Sequence, residues 1–223
     1  MAERTFWEQP DVVEQFASRE PDHRLLRLIE DYDDPGATRV LDLGCAGGRN
    51  TVLLAERGFD VWAVDASQAM IERTTTRMAE VLGPERARER VIPAAMDDLS
   101  AFPDASFDLV VALGIYHSAR SRSEWNRALA ETTRVLRVGG RVLVNHFTPE
   151  VDLTGEGVRP VKGEPGVYEG LPHDRSVLMD ADELDSAVKR HGLVPVVPSE
   201  TVRVDTERGQ RVSVNALYRL SER

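Results

Sequence analysis

Cysteine is almost missing from this chain: Cys45 stands alone among 223 residues. No intramolecular disulfide can form, and no cysteine-rich zinc site exists. Long apolar runs are missing too. No stretch approaches about 18 consecutive apolar residues, so no membrane-spanning helix is expected. The opening "MAERTFWEQPDVVEQF" lacks the apolar run of a signal peptide. Basic charge is in deficit, with 28 Lys and Arg against 38 Asp and Glu and a net charge of −10. That argues against a general electrostatic grip on nucleic acid or on an anionic membrane. A soluble cytoplasmic protein is expected, with neither nucleic acid nor membrane as partner.

The residues that are present suit an α/β domain. Hydrophobic residues make up 41% of the chain, enough at this length for a single sizeable core. Helical patterns over Asp11–Ser18 and Pro21–Tyr32 come first. Then "RVLDLG" reads as a strand, Asn50–Arg57 as a short helix and "DVWAVDAS" as a strand. Ser67 suits the N-cap of a helix over Gln68–Leu82 that stops at "GP". "RVIPAAM" reads as a third strand. "SFDLVVALG" is a near-continuous apolar run of the kind buried inside a parallel sheet. Ser123–Arg137 reads as a helix ended by "VGG", and "GRVLVNHF" as the fifth strand. Strict alternation implies βαβ units with helices on both faces of a mostly parallel sheet.

The rhythm breaks after Phe147. Thr148–Ser176 is rich in glycine and proline and reads as a long lid-like loop. Asp180–His191 is a helix opened by a capping box of Asp180 and Glu183. "LVPVV" and "RVSVNALYRL" are two closing strands. The expected organisation is one domain: a helical cap over 1–35, a core over 36–147, a lid or substrate loop over 148–176, and closing elements over 177–223.

The stretch "VLDLGCAGGRNT", Val40 to Thr51, sits between a strand and a helix. An open parallel sheet binds ligands at that place, beyond the carboxyl ends of its strands. Glycine admits positive φ and close approach of a ligand. A tight turn without a ligand would read the same way. Asp65 tilts the choice, because it ends the second strand 17 residues after Gly48. A carboxylate there can accept both hydroxyls of a ribose. The run Gly44-Cys45-Ala46-Gly47-Gly48 is neither GxGxxG nor a P-loop. A ligand with a ribose but no required pyrophosphate is expected.

Taken together, "VLDLGCAGGRN", "VWAVDAS", "FPDASFDLVVALGIYHS" and "RVLRVGGRVLV" resemble the successive motifs of class I S-adenosylmethionine-dependent methyltransferases. The resemblance covers about Arg39 to Phe147. "GRNT" and "LMDADELDSAVKRHGL" resemble the tellurite-resistance-like and small-molecule branch. The resemblance implies a Rossmann-like α/β fold with a seven-stranded, mostly parallel sheet, its last strand antiparallel, and S-adenosylmethionine as cofactor. It also implies roles. Asp42 and the backbone of Gly44, Cys45, Ala46 and Gly48 lie against the methionine half. Asp65 holds the ribose, Ala66 and Met70 line the adenine, and Leu113 and Gly114 flank the sulfonium. The family's middle glycine is Ala46 here, which fits if its φ stays negative. Many relatives carry an Asp where this chain has Ala95. Asp97 is the expected substitute for the adenine amino group, with Asp98 second, and the Met96 amide reaches the ring.

Methyl transfer is an in-line displacement, so the protein must orient the acceptor and exclude water. His117 lies just past the fourth strand. With an ordinary pKa of about 6.5 it suits a base for a hydroxyl acceptor, and a polar wall residue equally. Tyr116 would orient the acceptor, and His146 ends the fifth strand on the same edge. Two histidines with no evident third ligand make no metal site. "ALGIYH" lacks the Asn/Asp-Pro-Pro-Tyr/Phe tetrapeptide of adenine and glutamine nitrogen methylation. A small-molecule acceptor is therefore expected, with the protein a monomer or homodimer. Phe6, Trp7 and Phe16 would cover the cofactor or simply pack on the sheet. Arg49 would meet a carboxylate or stand exposed at a helix start. The rival class is a non-catalytic module that binds cofactor or partner on the same fold. An NAD-dependent oxidoreductase fails on the glycine spacing.

Overall fold

Apolar residues in consecutive positions demand cover on both faces of a strand, and that dictates the layering here. In the strand β4 (Phe107–Leu113), Leu109 and Val111 face one core while Val110 and Ala112 face the other. The strand β1 (Arg39–Leu43) divides likewise, Val40 to one side and Leu41 and Leu43 to the other. Each such side chain contributes about 1.5–3 kcal/mol when fully buried. The protein is described by a computed structural model covering residues 6–207 and 209–222, with Asp174 described by its backbone alone. Residues 1–5 of the expected N-terminal cap lie outside the described residues.

β1 pairs in parallel with β2 (Asp60–Asp65) and with β4, β2 pairs with β3 (Val91–Pro93), and β4 pairs with β5 (Leu136–Phe147). The long strand β11 (Gly209–Leu220) runs antiparallel to β5. Its other edge carries β9 (Leu193–Pro195) and β10 (Glu200–Thr206). The order across the sheet is β10-β11-β5-β4-β1-β2-β3, with β9 added on β11. Eight strands thus fill seven positions, because β9 and β10 are two halves of one edge interrupted around Pro198. The mostly parallel architecture with an antiparallel closing strand is the one the sequence implies.

Helices α1 (Pro10–Ala17) and α2 (His23–Leu28) precede β1. The second is shorter than Pro21–Tyr32, because Ile29–Asp31 tightens into a 3₁₀ turn. Helix α3 (Arg49–Glu56) follows the glycine turn. Helix α4 (Gln68–Leu82) opens as expected, with the Ser67 hydroxyl accepting the Met70 amide. Gly83–Pro84 is not a plain stop. Pro84 sits in the first turn of a further helix, α5 (Pro84–Arg90), where its missing N–H costs nothing. Helix α6 (Arg122–Val135) passes directly into β5, so "VGG" lies within a strand rather than ending a helix. Asp180 accepts the Glu183 amide at 2.9 Å and opens α7 (Ala181–Lys189).

The segment 148–176 departs most from expectation. It holds a three-stranded antiparallel sheet of β6 (Arg159–Pro160), β7 (Val167–Leu171) and β8 (Asp174–Val177). Val167 and Val177 join the main core, and Val151, Leu171 and Leu178 form a small core of their own. The segment is thus anchored by buried apolar contacts and is not a plain loop. Among the described residues no helix is long and apolar enough to cross a membrane.

Candidate functional site

The carboxyl ends of β1, β2, β4 and β5 open into one cavity of about 620 Å³. Its floor is the glycine turn after β1. The β7–β8 hairpin and the N-terminal segment wall its sides through His173 and Trp7. Most of the residues singled out from sequence line it: Asp42, Gly44, Cys45, Ala46, Asp65, Ala66, Met70, Met96, Leu113, Gly114 and His117. Gly48, Asp97, Tyr116 and His146 do not.

The turn uses its glycines for packing as much as for access. Gly44 has φ +74, and a Cβ there would come within 2.8 Å of Ile115. A Cβ on Gly47 would meet the Ala17 backbone of α1 at 2.5 Å. Gly48 has φ +79 and faces Thr74, so it serves the α3–α4 contact instead of the cavity. Ala46 corrects an expectation, since its φ is +48. An L-residue in this region costs about 1–2 kcal/mol. Two hydrogen bonds hold it there: its N–H donates to Asp65 Oδ2 at 2.9 Å, and its carbonyl accepts the Thr74 hydroxyl at 2.6 Å.

Two carboxylates face this turn. Asp42 is buried and accepts the Thr51 hydroxyl at 2.6 Å. Burial raises its pKa to about 6, against the hydrogen bond from Thr51. Asp65 is likewise pushed up by burial, although amide donors at Ser67 and Ala46 pull the other way. Both sites therefore hold a negative charge at a cost that a cationic ligand group or hydroxyl donors would offset. Cys45 is buried with its thiol pKa raised by burial, so it is a packing residue and not a nucleophile.

The third motif divides. Ala94, Ala95 and Met96 line the cavity. Asp97, the expected adenine partner, instead pairs with Arg127 at 2.7 Å on the surface. Asp98 accepts the Ser100 amide in a turn.

His117 is 4% exposed and stacks on Phe147 with centroids 4.0 Å apart. Its Nδ1 makes no protein hydrogen bond. Burial, then the neighbouring His173 and His146, hold its pKa well below the ordinary value. The ring is neutral near pH 7, which corrects the expectation of a half-titrated base. Tyr116 turns its hydroxyl away from the cavity to Thr132 Oγ1, 2.7 Å off. His146 is fully buried between Trp125 and His117, with its pKa lowered to about 3 by burial. Among the described residues no group of three His, Cys, Asp or Glu is placed to hold a metal.

Several cavity residues escaped the sequence reading. Glu8 caps α4, accepting the Gln68 amide at 3.0 Å and the Ala69 amide at 3.1 Å. Phe6, Trp7 and Phe16, which the sequence reading did single out, all line the cavity, with Trp7 edge-on to the other two and 5.8 Å from the His173 ring. Asn145, His173, Arg19 and Arg211 also reach the cavity. Only the end of β5 hinted at one of them, since Asn145 interrupts an apolar strand at its carboxyl edge.

Residues 40–140 match the methyltransferase domain family. A demethylmenaquinone methyltransferase of Clavibacter sepedonicus is 32% identical over 171 residues, covering 71% of this chain and 66% of that protein. Human glycine N-methyltransferase is 29% identical over 55% of this chain and 44% of its own length. The chain thus spans two thirds or less of these relatives. A Burkholderia thailandensis 1,6-didemethyltoxoflavin-N1-methyltransferase, solved with 1,6-didemethyltoxoflavin and S-adenosylhomocysteine, superposes with a TM-score of 0.64. It is 21% identical, over 98% of this chain and 82% of that one, and shares the fold.

Proposed function

From the match of residues 40–140 to the methyltransferase domain family and the likeness of the fold to solved methyltransferases, we propose that the chain transfers the methyl group of S-adenosylmethionine to a small-molecule acceptor. The observation that carries this reading is the single cavity in which Asp42, the glycine turn and Asp65 stand beside His117. Its volume is in the range of ligand pockets, and among the described residues its carboxylates Asp42 and Asp65 have no cationic partner at bonding distance. The net charge of −10 favours a small molecule over nucleic acid.

When bound, the cofactor supplies an electrophilic methyl on a sulfonium. The acceptor's lone pair forms the new bond as the carbon–sulfur bond breaks, and a thioether leaves. Asp65 would accept the ribose hydroxyls, and Asp42 would face the ammonium end across the Gly44–Ala46 backbone. Ala66, Met70 and Met96 would enclose the adenine, and Leu113 and Gly114 would border the sulfonium. His117, a neutral ring in the cavity wall, would face the acceptor and help orient its lone pair. Phe147, Trp7 and His173 would exclude water. All these residues lie on one chain, so one protomer forms the site in a monomer or a homodimer.

The test is a transfer screen with labelled cofactor over phenols, carboxylates, amines and thiols. The likeness of "GRNT" to the tellurite-resistance-like branch adds tellurite. Binding of S-adenosylhomocysteine with no transfer to any acceptor would favour a cofactor-binding module. No binding at all would sink the assignment.

A further inference from the structure

The two edges of the main sheet are finished differently. β3 closes one side with three residues, the last of them Pro93, which has no N–H to offer. β10 closes the other side with seven residues and neither device. It holds no proline or glycine, and its ladder to β11 runs from Glu200 opposite Asn215 to Thr206 opposite Gly209 without a bulge. Among the described residues its outer edge pairs with no strand. A regular, open edge of this kind is a template for another strand. Its side chains alternate, with Val202 and Val204 on one face and Thr201, Arg203 and Asp205 on the other. Val204 is 40% exposed.

We propose that β10 pairs with β10 of a second copy of this chain, antiparallel about a two-fold axis at Val204. Backbone geometry admits few registers. Residues of a strand present their N–H and C=O alternately to one side and the other, so an outward residue must face an outward one. By symmetry the two residue numbers in each pair then share parity. Three such registers overlap five or more of the seven residues. One centres on Val202 and sets Thr201 opposite Arg203 and Glu200 opposite Val204. One centres on Arg203 and sets its guanidinium against its own copy. The third centres on Val204 and alone sets opposite charges face to face, Arg203 against Asp205 on both sides of the axis, with Val202 against Thr206. Opposite charges directly across a pair of strands stabilise it and like charges destabilise it, so charge selects the third register. Both residues keep their present contacts: Arg203 pairs with Glu150, and Asp205 accepts the Gln210 side-chain amide at 2.9 Å. The five N–H donors of a guanidinium and the two oxygens of a carboxylate leave capacity for a second contact each. The two-fold pairing uses the same edge of both copies, so it closes at the dimer. None of this depends on the methyltransferase reading.

The experiment is sedimentation velocity on the full chain over about 1–100 μM, the range in which a small interface dissociates. Wild-type protein should run as a reversible monomer–dimer system with nothing larger. Arg203→Asp sets carboxylate against carboxylate, and Asp205→Arg sets guanidinium against guanidinium. Each variant alone should dimerise about tenfold more weakly or worse. An equimolar mixture of the two restores both attractive pairs, and its heterodimer should form within about threefold of wild-type affinity. That recovery excludes misfolding as the reason for the loss. Val204→Lys, on the axis, should weaken the dimer by about tenfold as well. Wild-type protein that stays monomeric throughout the range overturns the proposal. So does a dimer whose affinity neither charge variant changes, which belongs to another face. Single variants that remain weak when mixed, or wild-type association that continues past the dimer, overturn it too.

Discussion

The Asp65 carboxylate accepts the backbone N–H of Ala46 at 2.9 Å, tying the end of β2 to the turn that follows β1. Its other oxygen accepts the Ser67 amide at 2.9 Å, at the cap of α4. One side chain thus fixes the turn, caps the next helix approach and faces the cavity. The turn's left-handed alanine is held from the opposite side by Thr74. A ligand that binds here meets a preformed wall.

Asp65→Ala should therefore fail twice. Hydrogen bonds to a charged acceptor contribute about 1.5–3 kcal/mol each, offset here by relief of the buried charge. A net stability loss of about 1–3 kcal/mol is expected, read as a lower Tm. Affinity for S-adenosylhomocysteine should fall at least tenfold, and affinity for 5′-methylthioadenosine with it, because both carry the ribose. Unchanged affinity for either would defeat the ribose assignment.

Asp42 should make cofactor binding depend on pH. Its pKa is raised to about 6 in the free protein, chiefly by burial. An ammonium group alongside favours the carboxylate, so binding releases a proton below that pKa. S-adenosylhomocysteine affinity should then rise by about tenfold from pH 5 to pH 7. Asp42→Asn should bind more weakly and lose that slope. A slope that persists in the variant assigns the proton to another group.

The strands from Arg39 to Phe147 were legible because each must be covered on both faces, and continuous apolar runs record that demand. Ser67 was legible because a cap is a local device. The edge strand β10 was not, since it is mostly exposed and its polar alternation looks like a loop. The sheet within 148–176 hid behind its glycines and prolines, which mark turns without saying what the turns join. The cavity was half legible. Strand-end residues such as Asp65 and His117 announce themselves by position. Glu8 caps a helix that starts 60 residues later, and no local pattern records such a contact. The sign of φ at Ala46 and the depressed pKa of His117 are both set by neighbours distant in sequence.

Glu8 closes the N-terminal side of the cavity, so its removal should loosen that side first. Glu8→Ala should cost about 1 kcal/mol, as loss of a helix cap does. Hydrogen exchange should speed up at Gln68 and Ala69 and in the segment around Trp7, with the β1–β4 core unchanged. Equal protection in both proteins would show that the segment is held by its aromatic packing instead.

Buried histidines should make the fold sensitive to acid. His146 has a folded pKa of about 3, below its ordinary value of 6.5, so the folded state binds fewer protons than the unfolded state between them. Its contribution is complete above about pH 6.5 and is lost as pH falls toward 3, at about 1.4 kcal/mol per unit. His117 acts in the same direction, while the raised pKa values of Asp42 and Asp65 oppose it. A difference measurement isolates the term. Between pH 6.5 and 5, His146→Leu should lose about 2 kcal/mol less than wild-type protein in denaturant titrations. Parallel pH curves would rule out a buried neutral ring at this position.

His117 decides how the acceptor loses its proton. The ring is neutral across pH 6–8, because burial and two nearby histidines keep its pKa well below 6.5. A rate step near 6.5 is therefore not expected in the wild-type enzyme, and a flat profile is. If the acceptor is a hydroxyl, the neutral ring takes its proton as the methyl arrives, and His117→Ala should lower kcat by about 10²–10⁴. S-adenosylhomocysteine affinity should stay close to wild type, since the imidazole faces the acceptor. The variant should also gain a pH dependence that the wild type lacks. Without a base only the ionised acceptor reacts, so its rate should climb with pH toward the acceptor's own pKa. If the reacting atom already arrives as an anion or a free amine, no base is needed. His117→Ala would then change KM through lost packing on Phe147 and leave the profile flat. Parallel profiles with similar kcat in the two enzymes, on a phenolic acceptor, would leave His117 as a wall of the cavity and nothing more.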